Sequence, residues 1–237
     1  MNDKPLSERI RSFIFQHALD GIIPEALYPH LTLSEFRQGE PICSQGEKSG
    51  SLYILVKGKI KIYNTSAEDK TLVVSFKTPL ELIGDIEYFQ DIEIINTVEA
   101  VSPVVMIKVP YPALKEHGSD YAPLLRFLLD IITRKFSLKS QFMSFNLIYP
   151  VEVRLASYLL SVTFDESDSG FRGQLGTKGL TDAANLIGTS YRHLNRVLRK
   201  FAEEGLIQRS RAGIVVLDRD GLGKRAKQNI YEQKPGG

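Results

Sequence analysis

The sequence predicts an α+β fold laid out in three segments: a β-rich first half, one long helix, and a small, mostly helical C-terminal region. Three observations carry this. Residues 31–110 hold short apolar runs broken by Gly, Pro, Asp and Ser; residues 119–147 switch to a helical period; and compact amphipathic segments follow Pro150. The boundaries drawn on these shifts are 1–118, 119–149 and 150–237.

In the first segment, Leu52–Val56 is followed by Lys57-Gly58 and then by Lys59–Tyr63, which alternates with period two. Further strands are expected at Leu72–Phe76, Asn96–Val101 and Val104–Val109. Short strands with regular turn punctuation imply an antiparallel sandwich or barrel. Glycines at 39, 46, 58 and 84 fall at the expected strand ends, where tight corners need positive φ.

In the second segment Leu124, Leu128, Ile131, Lys135, Leu138, Phe142 and Phe145 recur in alternating four- and three-residue steps, as along a coiled-coil seam. Leu125, Leu129, Ile132, Phe136 and Met143 form a second stripe beside it. Two adjacent stripes make the helix apolar over too wide an arc for one contact. One stripe is expected to pack on the β-rich half and the other on a partner helix; burial of both within one chain is the alternative. The first stripe is taken as the dimer seam, with Lys135 as a polar register-setting residue at some cost in stability. Pro150 ends this helix and is placed to open the next, VEVRLASYLLSV, as its first residue. Residues 165–176 form a polar, Gly- and Ser-rich connection.

Composition excludes several classes. Of 237 residues, 43% are hydrophobic and 24% charged, an ordinary globular balance. The single cysteine, Cys43, cannot make an intrachain disulfide or by itself hold a zinc or iron–sulfur site. No apolar run is long enough for a transmembrane helix, and the N-terminus lacks the features of a signal peptide, so a cytoplasmic location without membrane association is expected. Charge is unevenly spread. Residues 1–149 carry 16 basic and 18 acidic side chains, whereas residues 189–227 carry 10 basic and 4 acidic, a net of +6. Such a concentration is the footprint of a surface that meets polyanions, although basic patches also occur on surfaces that bind nothing.

The chemistry-bearing stretch is 180–217. It reads as a short helix, a turn at Gly188, and a second helix after Thr189-Ser190, either of which can cap it. Leu194, Val197, Leu198 and Phe201 make the inner face. Arg192, Asn195, Arg196 and Arg199 lie opposite, offering guanidinium forks suited to guanine edges and an amide suited to adenine. Tyr191 and His193 add base or phosphate contacts. Beyond Gly205, Leu206–Arg209 and Ile214–Leu217 read as a hairpin that places Arg209 and Arg211 at phosphates. The whole is a winged helix-turn-helix.

Taken together, the chain resembles the Crp/Fnr family of bacterial transcription regulators over about residues 30–220. The anchors are FRQGEPICSQGEKSGSLYILVKGKIKIY, LIGD at 82–85, VRLASYLL at 153–160 and IGTSYRHLNRVLRKFAEEGLI at 187–207. The resemblance implies an N-terminal β-roll, a jelly roll of the cyclic-nucleotide-binding kind, acting as sensor, then a dimerisation helix and the winged helix-turn-helix. It implies a homodimer on near-palindromic double-stranded DNA, working with RNA polymerase. It also implies that Ser190 contacts phosphate while Tyr191, Arg192 and Arg196 read bases. The family's usual Arg-Glu or Val-Glu pair is replaced by Tyr191-Arg192, so the DNA site should differ from the best-known ones.

The implied effector pocket comprises Gly84, Asp85, Ile94, Ile95, Lys139 and Ser140. Members that bind cyclic AMP use a Gly-Glu pair for the ribose and an Arg-Ser pair for the phosphate. Here Gly84-Asp85 matches the first with a shorter carboxylate, but Ile94-Ile95 occupies the second, and the adenine-contacting Thr-Ser pair becomes Lys139-Ser140. Burying a phosphate without its cation is costly. Cyclic AMP is therefore not expected as effector, and Gly84 and Asp85 are expected to be structural. One cysteine cannot hold a cluster, and His17, His30, His117 and His193 show no spacing that points to haem. No cofactor is expected. What remains is an unidentified small effector, with Ile94, Ile95 and Phe89 leaning toward an apolar one, or a protein partner, or constitutive DNA binding. No GxSxG, HExxH, P-loop or Cys/His motif suggests an enzyme. The other alternative is a β-roll regulatory module that acts through a protein partner without specific DNA binding.

Overall fold

The computed structural model describes residues 6–67, 71–162, 177–210 and 213–226. It is an α+β chain of two compact units that divide between Phe136 and Ser137, inside the long helix.

The first unit opens with α1 (Leu6–Gln16) and a 3-10 turn at Glu25–His30. Eight strands follow: β1 (Thr32–Phe36), β2 (Pro41–Cys43), β3 (Ser51–Lys57), β4 (Ile60–Thr65), β5 (Thr71–Lys77), β6 (Glu81–Ile83), β7 (Thr97–Ala100) and β8 (Val104–Pro110). Between β6 and β7 lies α2 (Asp85–Gln90), and after β8 come α3 (Tyr111–Gly118) and the long α4 (Ala122–Ile148). The strands form two antiparallel four-stranded sheets, ordered β1-β8-β3-β6 and β2-β7-β4-β5. Leu55, Ile83, Val104 and Met106 from the first sheet meet Ile42, Ile60, Val98 and Ala100 from the second in one core. The other face of the first sheet, with Leu52, Ile54, Val56 and Ile107, packs on Ile10 and Ile14 of α1 and on Leu124, Leu128 and Ile131 of α4. Because this sheet is covered on both faces, β3 reads as an unbroken apolar run rather than an alternation.

The second unit holds the rest of α4, then α5 (Val151–Val162), α6 (Thr177–Leu186), α7 (Tyr191–Glu203), the hairpin β9 (Ile207–Ser210) and β10 (Gly213–Val216), and α8 (Arg219–Ala226). Pro150 precedes α5 as its cap rather than opening it, since the amides of Val153 and Arg154 both donate to its carbonyl. The expected connection at 165–176 lies outside the described residues.

The expected strands are present within a residue or two at each end. Helices α1, α2 and α3 were not anticipated. In α1 only Ile10 and Ile14 are buried, too sparse an apolar pattern to stand out in an 11-residue segment. The dimer seam needs correction. Leu124, Leu128 and Ile131 lie in the chain's own core, Lys135 turns into that unit's acidic cluster, and Phe145 is buried in the second unit; Leu138 and Phe142 are half-buried. Exposed apolar residues of α4 include three of the other stripe, Leu129 and Phe136 in the first unit and Met143 in the second; Leu147 and Ile148 are exposed as well. Heptad spacing cannot choose between adjacent stripes.

Gly39 and Gly58 separate two roles of turn glycine. Both have positive φ, +85° and +92°. A Cβ at Gly39 meets nothing within 4 Å, whereas at Gly58 it would stand 2.3 Å from the Pro103 carbonyl oxygen. Gly39→Ala should therefore cost the left-handed penalty alone, about 1–2 kcal/mol. Gly58→Ala should cost at least about 1 kcal/mol more, because backbone must move. Urea unfolding followed by circular dichroism checks the order; equal losses would remove the contact argument.

Candidate nucleic-acid interface and sensor cluster

The recognition element is built by backbone constraints before any side chain reaches outward. Helix α6 ends where the Thr189 amide donates to the Ala184 carbonyl at 2.9 Å, closing a turn over Gly188 at φ +63°. Glycine is needed there because other residues resist the left-handed region. Ser190 then caps α7, its Oγ accepting from the His193 amide at 3.2 Å. That selects Ser190 over Thr189 as the cap. Leu194, Val197, Leu198 and Phe201 are buried, which fixes the rotation of α7 and leaves Tyr191, Arg192, Arg196 and Arg199 exposed. The helix closes at Gly205, φ +73°, with the Leu206 amide donating back to Phe201.

Charge is sorted across α7. Lys200 pairs with Glu152 at 2.8 Å, and Arg225 with Glu204 at 3.0 Å, so two acidic side chains of the unit are neutralised by these bases. His193, Asn195 and Arg196 of α7 engage each other or the hairpin. An Arg196 N–H donates to His193 Nε2 at 3.1 Å, and Arg209 on β9 donates to Asn195 Oδ1 at 2.8 Å. Thr189, Ser190, Tyr191, Arg192, His193, Asn195, Arg196, Arg199 and Arg209 thus come from one cap, one helix and one adjoining strand. Arg211 lies outside the described residues.

The other site grows from Gly84. At φ +89° it starts α2, and a Cβ there would stand 2.7 Å from the Ser51 carbonyl oxygen and 2.8 Å from the Tyr111 hydroxyl. That hydroxyl donates to the Gly84 carbonyl at 2.6 Å and also bonds Ser49; burial pushes its pKa up to about 12. Asp85, only 3% exposed, receives Lys135 Nζ at 2.9 Å on both carboxylate oxygens. The same ammonium donates to the Leu82 carbonyl at 2.7 Å and stands 3.3 Å from Glu81, which Lys77 holds at 3.0 Å. Burial raises the Glu81 pKa, but Lys135 and Lys77 outweigh it and leave it below its ordinary value.

Ile94 and Ile95 are tied into the unit by backbone. Ile94 exchanges amide and carbonyl bonds with Glu47 and Gly46, while the Ile95 amide donates to Glu87 Oε1 at 3.0 Å. No cation stands among these bonds. Lys139 and Ser140 are exposed on α4 and belong to the second unit. Cys43 is a half-buried thiol whose pKa is pushed up to about 12, by burial first and by Glu87 as well, so it is a poor nucleophile. His17 bonds the Val56 carbonyl at 2.9 Å, and His30 stacks on His117 at 5.2 Å between ring centres. Sequence reasoning missed Glu81, Glu87 and Lys77. The available signal was Lys135, a charged residue in an apolar stripe, which needs a buried acid when that stripe faces a core.

A model of the cyclic nucleotide-binding domain matches residues 33–119, and a model of the Crp-like helix-turn-helix domain matches residues 153–225. The chain belongs to the Crp/Fnr family. Like other Crp/Fnr regulators, it carries the DNA-binding helix-turn-helix at its C-terminus. It is 23% identical over 222 residues to the CRP-like cAMP-activated global transcriptional regulator of Mycobacterium tuberculosis, covering 92% of this chain and 97% of that protein. Its fold matches a Crp/Fnr-family regulator from Eubacterium rectale at a TM-score of 0.73, with 21% identity over 86% of this chain and 93% of the other. The c-di-GMP-responsive regulator CLP of Xanthomonas campestris matches at 0.69, with 19% identity over 83% and 98%. No helix among the described residues is long and apolar enough to cross a membrane.

Two tests follow from the acidic cluster. Lys135→Met strands a buried carboxylate and should cost near the lower end of the roughly 3–5 kcal/mol typical of a broken buried pair, since the lysine side chain is 22% exposed. Adding Asp85→Asn should recover part of that loss; a further loss in thermal or urea unfolding would contradict the pairing. The second test is acid. Because the folded Glu81 pKa lies below its ordinary 4.5, its ionised form stabilises the fold above that value. This contribution is lost as pH falls from 4.5 through the lower folded value. Glu81→Gln should flatten stability against pH in that window, and an unchanged profile would remove Glu81 from the account.

Proposed function

We propose that this regulator binds double-stranded DNA as a homodimer at a near-palindromic site, and that cyclic AMP is not its effector. The observation that carries the DNA reading is the outward face of α7. Its rotation is fixed by four buried apolar residues, and its exposed arginines follow the Ser190 cap along one helix. The Ser190 hydroxyl and the first-turn amides suit a phosphate, and Tyr191, Arg192 and Arg196 suit base edges. Arg199 and Arg209 extend the basic surface along the phosphates, with His193 supporting Arg196. Helix-turn-helix dimers place their recognition helices about 34 Å apart, in successive major grooves.

For the dimer face, the exposed residues on the first unit's part of α4 support Leu129 and Phe136 in place of the buried stripe. For the effector, the observation is Lys135: it engages Asp85, the residue at the ribose-binding position, while Ile94 and Ile95 supply no charge for a phosphate. A small effector of other chemistry is the regulation that this arrangement leaves open. Work in the cytoplasm with RNA polymerase at promoters completes the reading.

Selection from a random duplex library should yield an inverted repeat protected over two successive grooves; a single asymmetric half-site would contradict the dimer. On that duplex Arg196→Ala should cost roughly 1–3 kcal/mol and relax preference at one base pair in each half. Equal weakening on all sequences would make Arg196 a phosphate contact instead. Phe136→Glu should shift the protein to monomer in analytical ultracentrifugation, and a persistent dimer would place the interface elsewhere.

A further inference from the structure

Asn195 sits on the exposed side of the recognition helix, where a free amide would be an adenine reader. Its amide is not free. Oδ1 accepts from Arg209 at 2.8 Å, and Nδ2 donates to the Tyr191 carbonyl, one turn back, at 3.0 Å. The two partners fix the orientation of the amide, because a guanidinium can only donate and a carbonyl can only accept. Arg209 is itself held at its backbone, paired with Ile214 across the β9–β10 hairpin. One guanidinium N–H is thus committed to α7, and the remaining ones are presented beside it.

We propose that Asn195 is a positioning residue, not a base reader: it holds Arg209 of the wing against the recognition helix so that the guanidinium meets a DNA phosphate already ordered. The inference rests on the reading of α7 and the hairpin as the DNA face. Its physical content is entropic. An arginine loses rotamer freedom when it binds, and a neighbour that has already fixed it lowers that cost. A phosphate contact carries no sequence information, so the benefit is the same on every duplex.

The test uses the full chain, the duplex recovered by selection and a scrambled duplex of the same length, with affinity measured over a salt series. Asn195→Ala should weaken both duplexes by the same factor, roughly 2- to 12-fold, with base preference and salt slope unchanged because the charge stays. Arg209→Ala should weaken both at least as much and lower the salt slope by about one. The double variant should bind no worse than Arg209→Ala alone. A changed preference at any base pair in Asn195→Ala, or losses that add in the double variant, would overturn the proposal. In the DNA-free protein, 15N relaxation should show Arg209 Nε ordered in the parent and mobile in Asn195→Ala; equal mobility would overturn it too. Should Arg196→Ala and Arg209→Ala both leave DNA binding untouched, the DNA face itself is misplaced and this role falls with it. The DNA-free measurement still reads the contact separately.

Discussion

The first unit depends on one ammonium group. Lys135 brings the long helix to the end of β6 and the start of α2, and its three acceptors are the Leu82 carbonyl and both oxygens of Asp85. With Glu81 and Lys77 the cluster is two acids and two bases, so its buried charge sums to zero. Desolvation makes such clusters costly, and apolar replacements of the same shape are often as stable. What the cluster supplies is register. An apolar stripe can slide by a turn along a sheet with modest loss, whereas an ammonium that leaves Asp85 strands two buried charges. The register of α4 on the first sheet, and hence the face it leaves exposed, follows from that constraint.

The same constraint bears on sensing. In Crp/Fnr proteins activated by cyclic AMP, the carboxylate after the pocket glycine serves the ligand. Here Asp85 serves Lys135, and the glycine before it is held by contacts to Ser51 and Tyr111 that leave no room for a Cβ. Both residues make contacts within the first unit itself. In the second unit the order of construction is similar. A glycine turn, a serine cap and four buried apolar residues set α7 first, and polar contacts then arrange the side chains it presents.

Much of this was legible in the sequence because it is written in local chemistry. Turn glycines, the capping serine, the arginine face and the basic hairpin depend on neighbours a few residues away. The two-sheet roll was legible from strand punctuation. The face of α4 was not, since Leu124 and Leu129 look alike until the sheet is in place. Nor were Glu81 and Glu87, buried acids whose partners include Lys135, far along the chain, and the Ile95 amide on the far side of α2. Nor was the setting of Asn195, whose amide meets Arg209 from another element.

The central claim is that DNA recognition by this Crp/Fnr protein does not run through a cyclic-AMP-filled pocket, because the chain's own lysine holds the carboxylate such a pocket would use. Fluorescence anisotropy on the selected duplex, with and without saturating cyclic AMP, tests it most directly. The account predicts the same affinity in both conditions. A tightening of about tenfold or more, equivalent to about 1.4 kcal/mol of differential binding, would contradict it and would require Lys135 to yield Asp85 to the nucleotide.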